Sequence, residues 1–381
     1  MHDLDLNAGM INKGNTVRIK NVMKKAAAGK DITVAFLGGS ITQGCHSSTP
    51  DKCYAALIHK WWSEKFPGCD VSFINAGIGA TTSFFGVSRV GEHLLSKNPD
   101  FILTEFAVND ADTDFFKETY EGLVRKIIYD RSRPALLLMN NIKFDDNTSA
   151  EEIHLEVAKH YDIPMVSMKS TIMAAIQKGS FGIDDISPDG LHPNDEGHRM
   201  VSDVVTAYLD KIYDSIGLSA SEESDPYADK DRIAPITENA YEDSFRIKNY
   251  NMTGPDHSVK LEGFEPDLHK KEDFLDIFSS GFTASKKGDS ITFRVYGSGL
   301  AAQYKKTVEL PAPVAKAVID GDEENAVILD ANFDETWGDC LYLQVLGRHM
   351  ELKEHEVKIT LIETHEDDKV PFYLTSLIVS R

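Results

Sequence analysis

The chain has 381 residues, enough for two domains that each bury a core at roughly 150 residues apiece. Hydrophobic residues make up 41% and charged residues 27%, a balance that excludes a disordered or fibrous chain. Acidic residues outnumber basic ones 61 to 40, a net charge of −21; so negative a surface repels phosphate backbones and anionic lipid heads, and neither nucleic acid nor membrane is an expected partner.

From the N-terminus, Met1-His2-Asp3-Leu4 shows no basic segment followed by an apolar one, so no secretory signal is visible and a cytoplasmic location is expected. Cys45, Cys53, Cys69 and Cys340 lack C-x-x-C spacing, which predicts reduced thiols and neither a disulfide framework nor a zinc site. Between Asp31 and about Ile216 short β-rich runs alternate with longer amphipathic ones. Strands are expected at 32–37, 71–75, 101–106, 135–139 and 164–166, and helices at 54–66, 83–95, 115–129, 151–160 and 195–213. This alternation predicts a parallel sheet with helices on both faces. Residues 217–239 are rich in Ser, Asp and Glu with little to bury, and read as an acidic linker. After them, runs such as 290–296 (Ile291, Phe293, Val295) and 356–362 (Val357, Ile359, Leu361) alternate with period two, predicting an all-β sandwich over 240–381.

Ligands of an open α/β sheet bind outside the carboxyl ends of its strands, and three polar signatures fall there. Gly38-Gly39-Ser40-Ile41-Thr42 follows the first expected strand, with two small residues that present Ser40 at the sheet edge. Thr42 breaks the G-x-S-x-G elbow of the α/β-hydrolases, and Cys45 and His46 break a phosphate loop starting at Gly39. Asp189-Gly190-Leu191-His192-Pro193 lies before the last helix. In a tight loop Asp189 can accept a bond from one ring nitrogen of His192 while the other faces a serine. Asn75 to Thr82 offers backbone N–H donors after the second strand, and Phe106-Ala107-Val108-Asn109-Asp110 an amide side chain after the third. Donors so placed suit the developing oxyanion of a tetrahedral intermediate.

Taken together and in this order, the four segments resemble the blocks of the SGNH, or GDSL-type, hydrolase family over roughly residues 28–215. The resemblance implies a flavodoxin-like three-layer α/β/α catalytic domain, here residues 1–216. It also implies a catalytic triad of Ser40, His192 and Asp189, and an oxyanion hole made by the Ser40 and Ala80 N–H groups and the Asn109 side chain. The family usually carries glycine where Ala80 stands, so Gly79 is an alternative donor. It usually has Gly-x-Asn-Asp where Ala107 begins the third block. Acyl transfer through a serine needs no metal and no cofactor, and none is expected.

Several other residues compete for attention. Asp110, Asp112, Asp114 and Glu121 mimic calcium-loop spacing, but Phe115 stands where the loop requires glycine, and helix-start acids are the better reading. Arg89 is expected to pair inward with a carboxylate such as Glu105, and His198 to be structural. Trp337, beside Gly338, is a candidate sugar platform, with Tyr304 as a weaker partner.

A hydrolase domain followed by a β-sandwich, here of the jelly-roll kind, is similar to carbohydrate O-acetyl esterases. The nearest likeness is to the acetyl-mannan esterases of carbohydrate esterase family 17, whose sandwich resembles a family 35 carbohydrate-binding module. That likeness rests on Gly38 to Gly44, Phe106 to Asp110 and Trp337-Gly338-Asp339. It implies removal of acetyl groups from acetylated manno-oligosaccharides, with the mannose 2-hydroxyl as the leading position. An esterase of acetylated xylan, small esters or lipids on the same fold, and a non-catalytic glycan-binding protein, are the alternatives. Residues 1–216 hold 22 bases and 29 acids, against 18 and 32 in 217–381. Two-thirds of the negative excess thus lies outside the catalytic half, which disfavours acidic glycans as the sandwich's ligand.

Overall fold

The computed structural model describes residues 4–217, 224–228, 232–269 and 276–381. It divides into two compact units, Met1–Asn239 and Ala240–Arg381.

In the first unit the strands are β1 (Met10–Asn12), β2 (Ile32–Gly38), β3 (Val71–Gly77), β4 (Phe101–Glu105), β5 (Ala135–Asn140) and β6 (Met165–Ser167). The sheet order is β1-β6-β5-β4-β2-β3, with β1 antiparallel to β6 and every other pairing parallel. The five parallel strands alone therefore run in the flavodoxin-like order, second-first-third-fourth-fifth, and the order reverses beside β2. Everything chemical follows from this, because β2 leads directly into Ser40. Its central residues Val34 to Leu37 are fully buried, as a strand covered on both faces requires.

Eight α-helices complete the described part of this unit: α1 (Val17–Ala27), α2 (Ser40–Gln43), α3 (Tyr54–Lys65), α4 (Ser83–His93), α5 (Asp114–Ile128), α6 (Glu151–His160), α7 (Ala174–Gln177) and α8 (Asp195–Asp214). The five longer helices expected from periodicity all form. Neither β1 nor α1 was among the expected elements. The α1 signal is present, since Ile19, Val22, Met23 and Ala26 fall at i, i+3, i+4 and i+7 and all four are buried. In contrast, β1 is three residues long and only partly buried, too short to show a period.

The reading of 217–239 as a linker needs correction. Residues 218–223 and 229–231 lie outside the described residues, but the remainder packs on the first unit. Arg18 Nε donates to Asp225 Oδ2 at 3.0 Å, and Arg125 Nη1 donates to the Ile233 carbonyl at 2.7 Å. Glu121, fully buried on α5, accepts the N–H groups of Ile236 and Thr237 at 2.8 and 2.9 Å. A buried carboxylate with two backbone donors is an anchor rather than a calcium ligand. Low hydrophobicity signalled a tether, yet these polar contacts, with Tyr227 packed edge-on against Tyr129 and beneath the Arg18 guanidinium, hold the described part of this strap in place.

The second unit is an antiparallel sandwich. One sheet is ordered Glu265–Pro266 (β10), Phe282–Ala284 (β11), Phe372–Ser380 (β18), Gly299–Lys306 (β13), Cys340–Gly347 (β16), with Ser244–Ile247 (β7) also pairing with β18. The other is ordered Val327–Asp330 (β15), Val314–Ile319 (β14), Lys353–Glu363 (β17), Ser290–Gly297 (β12), His257–Glu262 (β9), Thr253–Gly254 (β8). Ile291, Phe293 and Val295 of β12 and Val357, Ile359 and Leu361 of β17 face one shared core, as the alternation predicted.

Candidate active site

Ser40 is the first residue of α2 and is 7% exposed. The turn before it leaves no room for a side chain unless a neighbour shifts. A Cβ on Gly38 would lie 2.1 Å from Thr42 Oγ1, and one on Gly39 would lie 2.6 Å from Asn109 Oδ1. As the first helical residue Ser40 also leaves its own N–H without an intrahelical acceptor, while its carbonyl takes the Gly44 and Cys45 N–H groups at 3.1 and 3.0 Å.

Opposite Ser40 stands the loop before α8. Asp189 Oδ1 accepts the N–H groups of Leu191 and His192 at 3.0 and 2.7 Å, closing an Asx turn over Gly190, whose φ of 74° suits a residue without Cβ. That turn brings the His192 ring back onto its own aspartate. Nδ1 lies 2.6 Å from Asp189 Oδ2, and Nε2 lies 2.8 Å from Ser40 Oγ. The three residues form one hydrogen-bonded chain across 152 positions of sequence. Partial burial works against ionisation of Asp189, but bonds from the His192 ring and from the His192 and Leu191 N–H groups outweigh it, holding the carboxyl well below the usual range. A carboxylate ionised at all working pH values favours the Nδ1–H tautomer and leaves Nε2 free to accept a proton from Ser40.

The donor turn after β3 distinguishes Gly79 from Ala80. Gly79 N–H donates to Gln43 Oε1 at 2.7 Å, so it is already committed. Neither the Ser40 nor the Ala80 N–H has an acceptor among the described residues. Ala80 is held at φ 55°, a left-handed conformation that costs an alanine roughly 1 kcal/mol. This accounts for the usual glycine at that position of the resembled family. Asn109 approaches from the loop after β4, with its Oδ1 buried against Gly39. The next residue braces it: Asp110 Oδ1 accepts the N–H of Ser83, the first residue of α4, at 2.9 Å, and Asp110 Oδ2 meets His154 Nε2 at 3.2 Å. Second and third blocks are thereby tied together beneath the site.

Residues 36–200 match the GDSL-like Lipase/Acylhydrolase family. The crystal structure of a two-domain esterase active on acetylated mannans, co-crystallised with mannopentaose, is similar at 48% identity and a TM-score of 0.92, covering 99% of this chain and 98% of that one. The first unit carries a GDSL-like lipase/acylhydrolase domain. The chain is a carboxylic ester hydrolase with esterases among its relatives. This hydrolase is 27% identical over 187 residues to thioesterase 1/protease 1/lysophospholipase L1 of Escherichia coli strain K12, matching 47% of this chain and 84% of that protein. Its identity to an arylesterase of Vibrio mimicus is 25% over 199 residues, or 49% of this chain and 92% of that one.

Three residues of the hydrolase site escaped sequence reasoning or were misread. Gln43 was seen only as part of a motif. His46 is half-exposed beside the Ser40–His192–Asp189 chain, with Nε2 3.4 Å from Asp189 Oδ2 and its ring centroid 5.5 Å from that of His192. His46, Asp189 and His192 are the group of potential metal ligands that the described residues bring together, but His192 Nδ1 is engaged by Asp189 and hydrogen bonding accounts for the arrangement. Arg89 does turn inward, though onto main-chain carbonyls: it donates to Ala76 and Gly38 at 2.7 and 3.1 Å, clamping the ends of β3 and β2. His198 is structural as expected, its ring bridging the Tyr54 N–H and the Cys45 carbonyl.

In the second unit Trp337 is 59% exposed, with the Phe333 ring perpendicular to it at 5.1 Å. Tyr304, expected to assist it, is 2% exposed and stacked on Phe372 at 5.7 Å. Its position within β13 turns the ring into the sandwich core, so it offers no sugar platform. The exposed aromatic neighbour is Tyr342, its register partner on β16.

Proposed function

We propose that this hydrolase is a serine carbohydrate O-acetyl esterase that deacetylates acetylated manno-oligosaccharides, with the mannose 2-O-acetyl group as its leading substrate. The observation that carries the chemistry is the unbroken Ser40–His192–Asp189 hydrogen-bond chain. Similarity over both units to an esterase active on acetylated mannans supports the substrate class.

In this reading Ser40 Oγ attacks the acetyl carbonyl as its proton passes to His192 Nε2. The negative oxygen that develops is held by the Ser40 and Ala80 N–H groups and the Asn109 amide. Collapse of the tetrahedral intermediate expels the sugar hydroxyl, which takes the proton from His192. Water, deprotonated by the same imidazole, then releases acetate and restores Ser40. Asp189 stays ionised and stabilises the imidazolium at each step. Trp337 gives the sandwich an exposed face suited to the C–H side of a neutral sugar ring.

The test is acetate release from acetylated mannan, xylan and chitin oligomers, with product positions read by NMR. Mannan oligomers should be preferred and Ser40→Ala should abolish release. Unchanged turnover by Ser40→Ala would refute the serine mechanism, and equal rates on the three polymers would refute the mannan preference.

A further inference from the structure

We infer that Gln43 is a positioning residue of the oxyanion hole, latching the turn after β3 so that the Ala80 N–H, rather than that of Gly79, is presented beside the nucleophile. This rests on the oxyanion reading above and adds to it the element that sets the donor's orientation.

Gln43 ends α2, the four-residue turn that Ser40 begins, so nucleophile and latch share one rigid segment. Its Oε1 accepts the Gly79 N–H at 2.7 Å. One residue earlier, the Thr42 carbonyl accepts from Asn75 Nδ2 at 2.8 Å, and Asn75 Oδ1 accepts the Gly77 N–H at 2.9 Å. The end of α2 therefore grips residues 75–79 by side chain and main chain alike. Their approach is close: a Cβ on Gly77 would lie 2.1 Å from Gln43 N, and one on Gly79 would lie 3.1 Å from Gln43 Oε1 and 3.7 Å from Ser40 Cβ.

Two consequences follow for catalysis. Capture of the Gly79 N–H removes it from competition for the oxyanion and leaves the Ala80 N–H uncommitted. Secondly, Ala80 sits at φ 55°, a conformation alanine leaves when nothing holds it. The Gln43 bond holds the Ile78–Gly79 peptide, one residue ahead of the Ala80 donor, while the Ile78 N–H bond to the Gly38 carbonyl and the Thr81 Oγ1 bond to the Ile78 carbonyl pin the rest of the turn. Preorganised donors stabilise a transition state because they need no reorientation during reaction. Without the latch Ala80 can relax, and the donor must be reoriented in each catalytic cycle. The loss should fall short of deleting a donor outright, which costs roughly 10²- to 10³-fold in kcat.

Gln43→Met keeps the length of the side chain and removes the acceptor. Burst titration with p-nitrophenyl acetate counts intact active sites, so kcat is obtained per functional site whatever the yield of folded protein. The expected result is a roughly 10-fold fall in kcat with KM little changed, and an equal weakening of a phenylboronic acid, whose tetrahedral adduct on Ser40 places an oxygen in the hole. A kcat and a boronate affinity both within twofold of wild type would overturn the proposal. So would a raised KM at unchanged kcat, which would place Gln43 against substrate instead. Asn109→Ala, measured alongside, separates the two levels. If it lowers kcat by 100-fold or more while Gln43→Met does nothing, the latch alone fails. If it too leaves kcat and boronate affinity unchanged, the oxyanion reading fails with it.

Discussion

Glu105 closes β4 beneath the site, fully buried, with Oε1 accepting the Ala107 N–H at 3.1 Å. Burial pushes its carboxyl up from 4.5 to about 7; the charge of Asp110 adds to this, while Asn141 and the Ala107 N–H act the other way. In the unfolded chain the same group titrates near 4.5. The folded state therefore binds this proton more tightly, and its contribution to stability is complete below pH 4.5 and declines as pH rises through 7. At about 1.4 kcal/mol per pH unit, the interval from 4.5 to about 7 corresponds to a loss of about 3 kcal/mol. Glu105→Gln keeps an acceptor for Ala107 and never ionises. The variant should match wild type at pH 4.5 and exceed it by about 3 kcal/mol at pH 8. Urea unfolding at the two pH values measures this. A Trp337→Phe background leaves Trp61 and Trp62, both in the first unit, as the only tryptophan reporters. A difference that does not change with pH, or a variant weaker than wild type at pH 8, would refute the reasoning.

Ala80→Gly should relieve the left-handed strain at φ 55° and stabilise the first unit by up to about 1 kcal/mol, or roughly 2–4 °C in Tm, with kcat within threefold of wild type; a lowered Tm in calorimetry would contradict this. Trp337→Ala, at an exposed position, should leave stability within about 0.5 kcal/mol. It should raise KM on acetylated oligosaccharides by roughly 3- to 10-fold, in keeping with one lost stacking contact, while KM for a small aryl acetate stays unchanged. Equal effects on both substrates would deny Trp337 a role in gripping sugar.

How much of this was legible beforehand varies with the range of the interaction. Elements with strong periodicity, such as α8 and the core faces of β12 and β17, were visible because burial imposes its period on the sequence directly. Ser40, Asn109, Asp189 and His192 were visible as short motifs whose residue types suit one chemistry. The linker was misread because the contacts that hold it, Asp225 to Arg18 and the Ile236 and Thr237 N–H groups to Glu121, join polar residues far apart in sequence. Composition carries no trace of such pairings.

The same contrast runs through the site. Sequence by itself determined the family's four blocks, the order of the parallel strands' contributions, and the aspartate three residues before the histidine that folds back on it. Only the tertiary structure distinguished the Gly79 N–H from that of Ala80, since a glutamine 36 residues away in sequence accepts the first and not the second. Likewise it removed Tyr304 from the surface, because alternation along a strand fixes which residues share a face but not which face turns to the core, and it left Trp337 exposed in the segment between β15 and β16. Local chemistry is written in neighbouring residues; the orientation of a donor or a ring is set by whatever packs against it.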